Sequence, residues 1–469
     1  MSRPYHYWST HRRAAFPPAT RWGRHSDGAG AGRLTRRQLL AGGMASVLAG
    51  AAAGACRVAG PARPEPATGA PVRVTFMVPG GPQEDADFAP VFEAFAARYP
   101  AITAEYTPAG TGYGQDYTDK LFSLLAADTA PDVFKTLGGS FGTLAMNGAY
   151  LALDDLAKRH AAEVKLDDFF PAHIEGGKFR GTLYSLPHDG APAAMWVNVE
   201  LVQRENIPLP SWESTWDDLL RAGIALTKRD ADGTAQQLGF GRPGWLYWIW
   251  SAGGDLYTAD GTRLLIDQPP AVEALSWLQE AVHRYRVCPN PQEQGNSGLV
   301  AFPNGRIAAV FGVRGSLGTF RTIQSFAFDA APLPKGPKGR VSQLSIGYTS
   351  IWSKSKVPEA AFILLNWVCS AEGQCLKISR GYAHPSRRSL VDEPWYRDYR
   401  AERSYSTRIN TIFSDTLKRG EARAITPHPR EAEIFQAVER NLGALWNNTK
   451  PAREVAKAIM VETAALLAP

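Results

Sequence analysis

The sequence contains few residues of the kinds that build metal centres and disulfide networks. Its 469 residues include only four Cys and nine His, and their spacing matches no zinc-binding pattern. Apart from Cys56, the odd set Cys288, Cys369 and Cys375 allows at most one bridge. Cys369 and Cys375 are close enough in sequence to pair, and small buried thiols are the alternative. The composition therefore predicts neither a metal site nor a cofactor.

A strong excess of one charge is also absent from most of the chain. The formal net charge is +6, but residues 1–56 hold eight Arg and one Asp. The remaining residues carry 43 basic and 44 acidic side chains, a net charge of −1. Because nucleic-acid-binding surfaces are strongly basic, this neutral balance argues against a nucleic-acid partner. The basic excess belongs to a leader segment.

The apolar runs are too short for a permanent membrane span. The longest, residues 39–55, has 17 residues and is rich in Gly, whereas a span needs roughly 20 apolar residues. Arg36 and Arg37 precede this run, and small residues end it, which is typical of a secretion signal of the twin-arginine kind. The sequence therefore predicts an exported protein whose residues 1–56 form the signal segment.

The end of the signal segment allows two kinds of processing. Residues 53–56 (Ala-Gly-Ala-Cys) resemble a lipoprotein box in which Cys56 is acylated, and residues 53–55 also fit an ordinary A-x-A cleavage site. We expect lipidation of Cys56, which would anchor the protein to the membrane at the cell surface or in the periplasm. Residues 57–71 are rich in Pro, Ala and Gly and read as a linker.

Residues 72 onward alternate between strand and helix patterns. Apolar residues alternate over 72–78, recur at helical spacing over 88–96, and form further strand-like runs at 102–106 and 132–134. This order predicts an α/β fold with parallel strands flanked by helices. Ligands of such sheets bind beyond the carboxyl ends of the strands, which places the loops after Val78, Tyr106 and Phe134 at a site. The length predicts two lobes.

Eight segments stand in the order found in one protein family. They lie at 124–134, 181–187, 196–198, 215–219, 251–254, 302–308, 370–374 and 384–387. Residues 181–187 (Gly-Thr-Leu-Tyr-Ser-Leu-Pro) and 215–219 (Thr-Trp-Asp-Asp-Leu) show the pattern well. Together the segments resemble the family 1 extracellular solute-binding proteins of ABC importers, which include maltose-binding protein.

The resemblance implies a two-lobed periplasmic-binding-protein-like fold with a multi-strand hinge and a ligand cleft. Each lobe is expected to hold a mainly parallel sheet, with the first lobe at 72–190 and 327–372 and the second at 191–326 and 373–469. The implied function is not enzymatic: a monomer binds a sugar, oligosaccharide, polyol or glycerophosphate and delivers it to the permease subunits. A lipoprotein sensor that binds the same ligand is an alternative.

Sugar sites combine flat aromatic faces with polar groups in the ring plane, and eight residues are candidates for such contacts. They are Gly81, Tyr113, Ser140, Asp189, Trp245, Arg314, Tyr348 and Arg387. Trp245 begins an aromatic run whose first member faces the ligand in the family. Asp189 can accept hydroxyl donors, and the two Arg can bind hydroxyls in pairs or an acidic group.

A secreted serine hydrolase is the competing interpretation. Residues 138–142 have the Gly-x-Ser-x-Gly pattern of a nucleophile elbow centred on Ser140. Asp392 and His428 would then complete a triad. Such an elbow follows a strongly apolar strand, whereas Lys135 and Thr136 interrupt this one. We therefore expect a binding loop at this position.

Overall fold

A computed structural model describes residues 71–467 apart from 111–114, 137, 259, 294–297, 300, 380, 382 and 402. The predicted signal segment with Cys56, the linker up to residue 70 and Tyr113 lie outside the described residues. Within them, no helix combines the length and the apolar character that crossing a membrane requires.

The strands and helices alternate through most of the described chain. The strands are β1 (Val72–Pro79), β2 (Ile102–Ala109), β3 (Val133–Thr136), β4 (Lys178–Phe179), β5 (Thr182–Leu183), β6 (Ser185–Pro192), β7 (Ala194–Asn198), β8 (Lys228–Arg229), β9 (Ala235–Phe240), β10 (Ile307–Gly312), β11 (Phe328–Ala331), β12 (Ser342–Ile351) and β13 (Ala422–Arg423). The α-helices are α1 (Pro82–Arg98), α2 (Gln115–Ala126), α3 (Phe141–Met146), α4 (Asp154–Arg159), α5 (Ala161–Val164), α6 (Pro171–Gly176), α7 (Val199–Arg204), α8 (Trp216–Leu226), α9 (Trp245–Ser251), α10 (Pro269–His283), α11 (Leu317–Phe320), α12 (Pro358–Cys369), α13 (Ala371–Ile378), α14 (Pro394–Arg397), α15 (Arg408–Lys418), α16 (Glu431–Trp446) and α17 (Ala452–Thr463).

The first sheet is built around β1, which pairs in parallel with β2 and β3. Val74, Phe76 and Val78 of β1 are fully buried, because helices cover the sheet and exclude water from alternate side chains. Phe88 and Phe95 of α1 pack in the same cluster. β12 then pairs antiparallel with β3 and with β6. The strand–helix order predicted for residues 72–134 is confirmed.

The second sheet has the strand order β11-β7-β10-β9-β8 and is mixed. Only β9 and β10 are parallel, whereas β7 runs antiparallel to both β10 and β11. The expectation of a mainly parallel sheet is therefore wrong for this lobe. β7 enters this sheet almost directly from β6 of the other sheet, and it lies between β10 and β11 with the opposite strand direction.

The chain passes between the two sheets more than once, which gives the two-lobed α/β fold. It leaves the first sheet between β6 and β7, returns between β11 and β12, and reaches the first sheet again at β13. Residues 328–331 pair with β7 in the second sheet. The predicted boundary at 326/327 therefore lies on the wrong side of β11, whose four buried residues extend that sheet.

The cysteines contribute to packing. Cys288 and Cys369 are buried free thiols, so the bridge between Cys369 and Cys375 is not formed. Burial raises the pKa of the Cys288 thiol well above its usual range and that of Cys369 to about 12, which keeps both thiols protonated and unreactive near neutral pH.

Candidate ligand-binding cleft

A cavity of about 440 Å³ lies where the two sheets meet at the crossing strands, within the size range of small-molecule sites. Its lining residues come from the start of α1, the end of β3, the crossing strands β6 and β12, the segment after β10, and α13 with the loop that follows it. They are Gln83, Glu84, Asp87, Lys135, Gly138, Asp189, Gly190, Ala191, Val313, Gly315, Gly318, Ser345, Ile346, Gly347, Lys377, Ala383 and His384. We call this cavity the cleft.

Two glycines shape the wall of the cleft. Gly81 turns the chain from β1 into α1 with a φ of 146°, a conformation that side chains with a Cβ rarely adopt. Gly347 lies opposite Asp189 in the pairing of β12 with β6, and a Cβ at Gly347 would collide with the Asp189 carboxylate and the His188 ring. The crossing strands can therefore approach closely and hold Asp189 at the cavity.

Two buried ion pairs stand in this wall. The Lys135 Nζ donates to Glu84 Oε1 at 2.7 Å, and the Lys377 Nζ donates to Asp189 Oδ2 at 2.6 Å. The side chains of Lys135 and Lys377 are only 1% and 4% exposed. Each buried ammonium is thus matched by a carboxylate, as burial of a charge requires.

The ion pairs also determine the protonation states of Glu84 and Asp189. Burial alone would raise the pKa of Glu84, but the nearby Lys135 and Lys377 lower it to about 2. The same balance between burial and Lys377 holds the pKa of Asp189 well below its usual range. Burial lowers the pKa of His188 far below 6.5. Near neutral pH Glu84 and Asp189 are therefore ionised, and the His188 imidazole beside them is neutral.

A second, smaller cavity of about 110 Å³ shares part of its lining with the cleft. Gly138, Ser345 and Ile346 line both cavities, which therefore adjoin. The inner cavity is also lined by Tyr348, whose ring stacks on Phe141 with centroids 4.9 Å apart and an interplanar angle of 26°. We call this second cavity the inner end of the cleft.

Comparison with known proteins identifies the family. A model of the bacterial extracellular solute-binding proteins matches residues 80–374. The chain belongs to this family. Membership places this solute-binding protein among exported binding proteins. A search of curated proteins found no match.

Solved structures of similar fold cover nearly the whole of each related chain. The ABC substrate-binding protein Lmo0181 of Listeria monocytogenes, in complex with cycloalternan, is 17% identical over 85% of this chain and 99% of its own, with a TM-score of 0.73. The cyclic alpha-maltosyl-1,6-maltose binding protein of Arthrobacter globiformis is 18% identical over 85% and 99%, with a TM-score of 0.70. UgpB of Mycobacterium tuberculosis, in complex with glycerophosphocholine, is 18% identical over 86% and 98%, also with a TM-score of 0.70. These likenesses show the fold.

Four predicted site residues of this solute-binding protein lie at or beside the cleft. Asp189 lines it, and Tyr348 lines its inner end. Ser140 is the N-cap residue of α3, next to Gly138 and Gly139 of the inner lining. Gly81 directly precedes the α1 turn that carries Glu84.

Arg314 was predicted as a ligand contact, and the structure places it in the protein interior. The side chain is fully buried. One guanidinium nitrogen donates to the carbonyls of Gly381 and Ala383 at 2.5 and 2.7 Å, and the other donates to Asn410 Oδ1 at 2.7 Å. These bonds join the second lobe to the segment after α13, which leaves Arg314 a structural role.

Arg387 is likewise buried, and its guanidinium group donates hydrogen bonds to other groups of the protein. Its Nε donates to the Cys369 carbonyl at 2.7 Å, and its terminal nitrogens donate to the Val164 carbonyl and to Asp168 Oδ2 at 2.9 and 3.2 Å. The guanidinium also lies 4.0 Å from the centroid of the Phe169 ring. Neither predicted Arg lines the cleft, so the reason for expecting an acidic ligand is lost.

Trp245 is also turned away from the described cavities. It is 7% exposed, its indole N–H donates to Glu439 Oε1 at 2.8 Å, and its ring packs on Phe435 with centroids 5.6 Å apart. Every residue of α9 is buried, because the apolar aromatic run packs all round in the second-lobe core. In this structure Trp245 contributes to packing.

The residues of the proposed hydrolase triad do not assemble. Asp392 pairs with Lys418 at 2.7 Å at the surface. The Nδ1 atom of His428, which a triad acid would contact, accepts the backbone N–H of Arg430 at 3.1 Å.

Most of the charged wall is not predicted from the sequence. Lys135 stands out only as an interruption of an apolar strand, and that interruption is the signal that could have identified it, because a Lys in a fully buried strand requires a carboxylate partner. Glu84 and Lys377 lie on amphipathic helices, where charged residues are common and carry no distinguishing pattern.

Proposed function

We propose that this chain is the substrate-binding component of an ABC importer and that it binds an uncharged sugar, oligosaccharide or polyol in the cleft. The observation that carries the proposal is the wall of the cleft, where two buried ion pairs offer fixed donors and acceptors. Ion-paired carboxylates and ammonium groups can still hydrogen-bond ligand hydroxyls. The two lysines are already neutralised, which disfavours a ligand with a net negative charge.

Individual residues have distinct proposed roles at the cleft. Asp189 would accept hydroxyl donors, Ser140 and the neighbouring backbone amides would meet ligand oxygens at the start of α3, and Tyr348 would offer an aromatic face at the inner end. Gly81 would let the backbone approach the ligand. Two lobes that close about the crossing strands would then enclose the solute, as hinge-closing binding proteins do.

We further infer export by a twin-arginine signal and anchoring by a lipid on Cys56, with the mature protein acting as a monomer beside its permease. These inferences rest on the sequence of residues 33–56. We also infer binding without turnover, because the matched family and the similar structures are binding proteins. A lipoprotein sensor would bind the same solute in the same cleft. Uptake of the bound solute by a reconstituted permease would distinguish the importer component from such a sensor.

A thermal-shift panel tests the proposed ligand class. Ligands that bind the folded protein raise its apparent stability, by about 2.7 kcal/mol at a hundredfold excess over Kd. The panel contains maltose, trehalose, a longer maltodextrin, sorbitol, glycerophosphocholine and glucuronate. We expect a shift with an uncharged member. A shift with glycerophosphocholine or glucuronate alone would contradict the proposed class.

A further inference from the structure

Glu431 stands at the inner end of the cleft. It is the first residue of α16, which packs in the core of the second lobe, while the cavity beside it is lined by β12 of the first sheet. Glu431 is only 5% exposed. A carboxyl group of the second lobe is therefore buried against the first lobe, where it lines the inner end of the cleft.

The surroundings of Glu431 differ from those of Glu84 and Asp189. Glu84 and Asp189 each have a lysine ammonium within 2.7 Å, whereas Glu431 forms no ion pair among the described residues. The adjacent Arg430 is directed to Glu433 at 2.6 Å. Burial raises the pKa of Glu431 to about 7, and the backbone N–H groups of His428 and Gly139 offset this only in part.

The titratable groups that face Glu431 are neutral near pH 7. Burial and the nearby Arg430 lower the pKa of His428. The phenols of Tyr257 and Tyr348 have pKa values raised by burial and by Glu431 itself. The cations near His428 are Arg430 and Arg180, but Arg430 pairs with Glu433, and among the described residues no cation pairs with Glu431 to hold it in its ionised form.

A polar atom close to Glu431, the Tyr257 hydroxyl, lacks a hydrogen-bond partner among the described residues. Tyr257 is 6% exposed and stacks on the His428 ring with centroids 5.3 Å apart. Its hydroxyl is buried without a hydrogen bond. Since buried hydroxyl groups are costly when unpaired, the region beside Glu431 has unused hydrogen-bonding capacity.

We propose that Glu431 is a specificity-determining residue: as a neutral acid, it hydrogen-bonds a hydroxyl group of an uncharged ligand at the inner end of the cleft. The inference rests on the proposed function, which it deepens. A neutral carboxyl donates through its O–H and accepts through its C=O, as a ligand hydroxyl does. An anionic ligand group beside Glu431 would be unfavourable, because no cation there would compensate its buried charge.

The test is calorimetric titration of maltose, trehalose and sorbitol at pH 6.0 and 8.5, with the wild type, Glu431→Gln and the control Glu454→Gln. If only the neutral acid binds, the wild-type Kd of the tightest probe rises by up to about 30-fold between these pH values, for a group that titrates near 7. Glu431→Gln is expected to bind equally at both pH values, because its amide also donates and accepts. Glu454→Gln, at an exposed position in the first turn of α17, should keep the wild-type pH dependence.

Several outcomes overturn the inference. A wild-type Kd that is the same at both pH values does so, as does a pH dependence that survives in Glu431→Gln. If Glu431→Gln does not fold, wild-type titrations at pH 7.5 in two buffers of different ionisation enthalpy decide instead: proton uptake supports the proposal, and none contradicts it. Absence of binding by all three probes at both pH values overturns the proposed function as well, whereas binding without proton linkage overturns only the role of Glu431.

Discussion

The ion pair of Lys377 with Asp189 offers a sharp test of how the cleft wall is held. Lys377→Met keeps much of the side-chain volume and removes the ammonium that lies 2.6 Å from Asp189. Asp189 is then a buried carboxylate without its main partner, and breaking a buried pair in this way costs about 3–5 kcal/mol. A comparable pair at the surface contributes about 0–1 kcal/mol. The structure therefore predicts a large loss of unfolding free energy from one substitution.

Urea unfolding at pH 7 measures this loss, with Lys418→Met as the matched control. Lys418 pairs with Asp392 at 2.7 Å, but the two side chains are 40% and 70% exposed. We expect the control to lose less than about 1 kcal/mol. The double variant Lys377→Met with Asp189→Asn should recover part of the loss, because no lone charge remains. Equal, small losses for Lys377→Met and the control would refute the reasoning.

The pH dependence of the same variant has a defined sign. In the wild type, Lys377 depresses the pKa of Asp189, so the stability that Asp189 contributes is present above its unfolded pKa of about 3.9 and is lost as pH falls toward the depressed folded value. Without Lys377, burial raises that pKa instead. The loss of unfolding free energy in Lys377→Met, relative to the wild type, should therefore become smaller as pH falls from 7 to 4, because Asp189 becomes protonated.

Three further predictions follow from the placement of individual residues. Trp245→Ala is expected to cost about 3–5 kcal/mol of unfolding free energy, as for a core aromatic, with the solute Kd of the folded fraction nearly unchanged; a loss of affinity at native melting temperature would contradict this. Mass spectrometry of the native exported protein is expected to show an acylated Cys56 at the N-terminus, and an unmodified Cys56 would contradict the lipid anchor. Small-angle scattering is expected to show a smaller radius of gyration at saturating solute, because the lobes close on it; an unchanged radius would count against the hinge.

The sequence alone predicts the first three strands of the first sheet well, because local patterns determine them. Burial in β1 and α1 produces the alternation over residues 72–78 and the helical spacing over 88–96. These two elements are consecutive in the sequence. Gly81 and Asp189 could be placed near the site by their positions at a strand end and a crossing segment. The antiparallel strands of the second sheet were missed, since their partners lie far apart in sequence.

The roles of the buried charges could not be predicted from local patterns. Arg314 and Arg387 have the chemistry of ligand-binding residues, but backbone carbonyls that are distant in sequence use their donors. Trp245 lies in an aromatic run whose facing direction depends on Phe435 and Glu439, about 190 residues further along. Conversely, Glu431 reads as an ordinary first-turn acid of a helix. Only the approach of the other lobe makes it a buried carboxyl.

The central claim is that the solute binds in the cleft, and a blocking substitution at Gly138 tests it most directly. Gly138 lines both parts of the cleft, and a Cβ there would meet no atom within 4 Å. Gly138→Trp can therefore fill the cavity without straining the fold, and Gly443→Trp on α16, also in open space, is the control. In titrations with the tightest-binding sugar of the panel, we expect Gly138→Trp to lose at least about 1.4 kcal/mol of binding free energy, a tenfold weaker Kd, and the control to match the wild type. Wild-type affinity in a Gly138→Trp variant that melts normally would contradict the account.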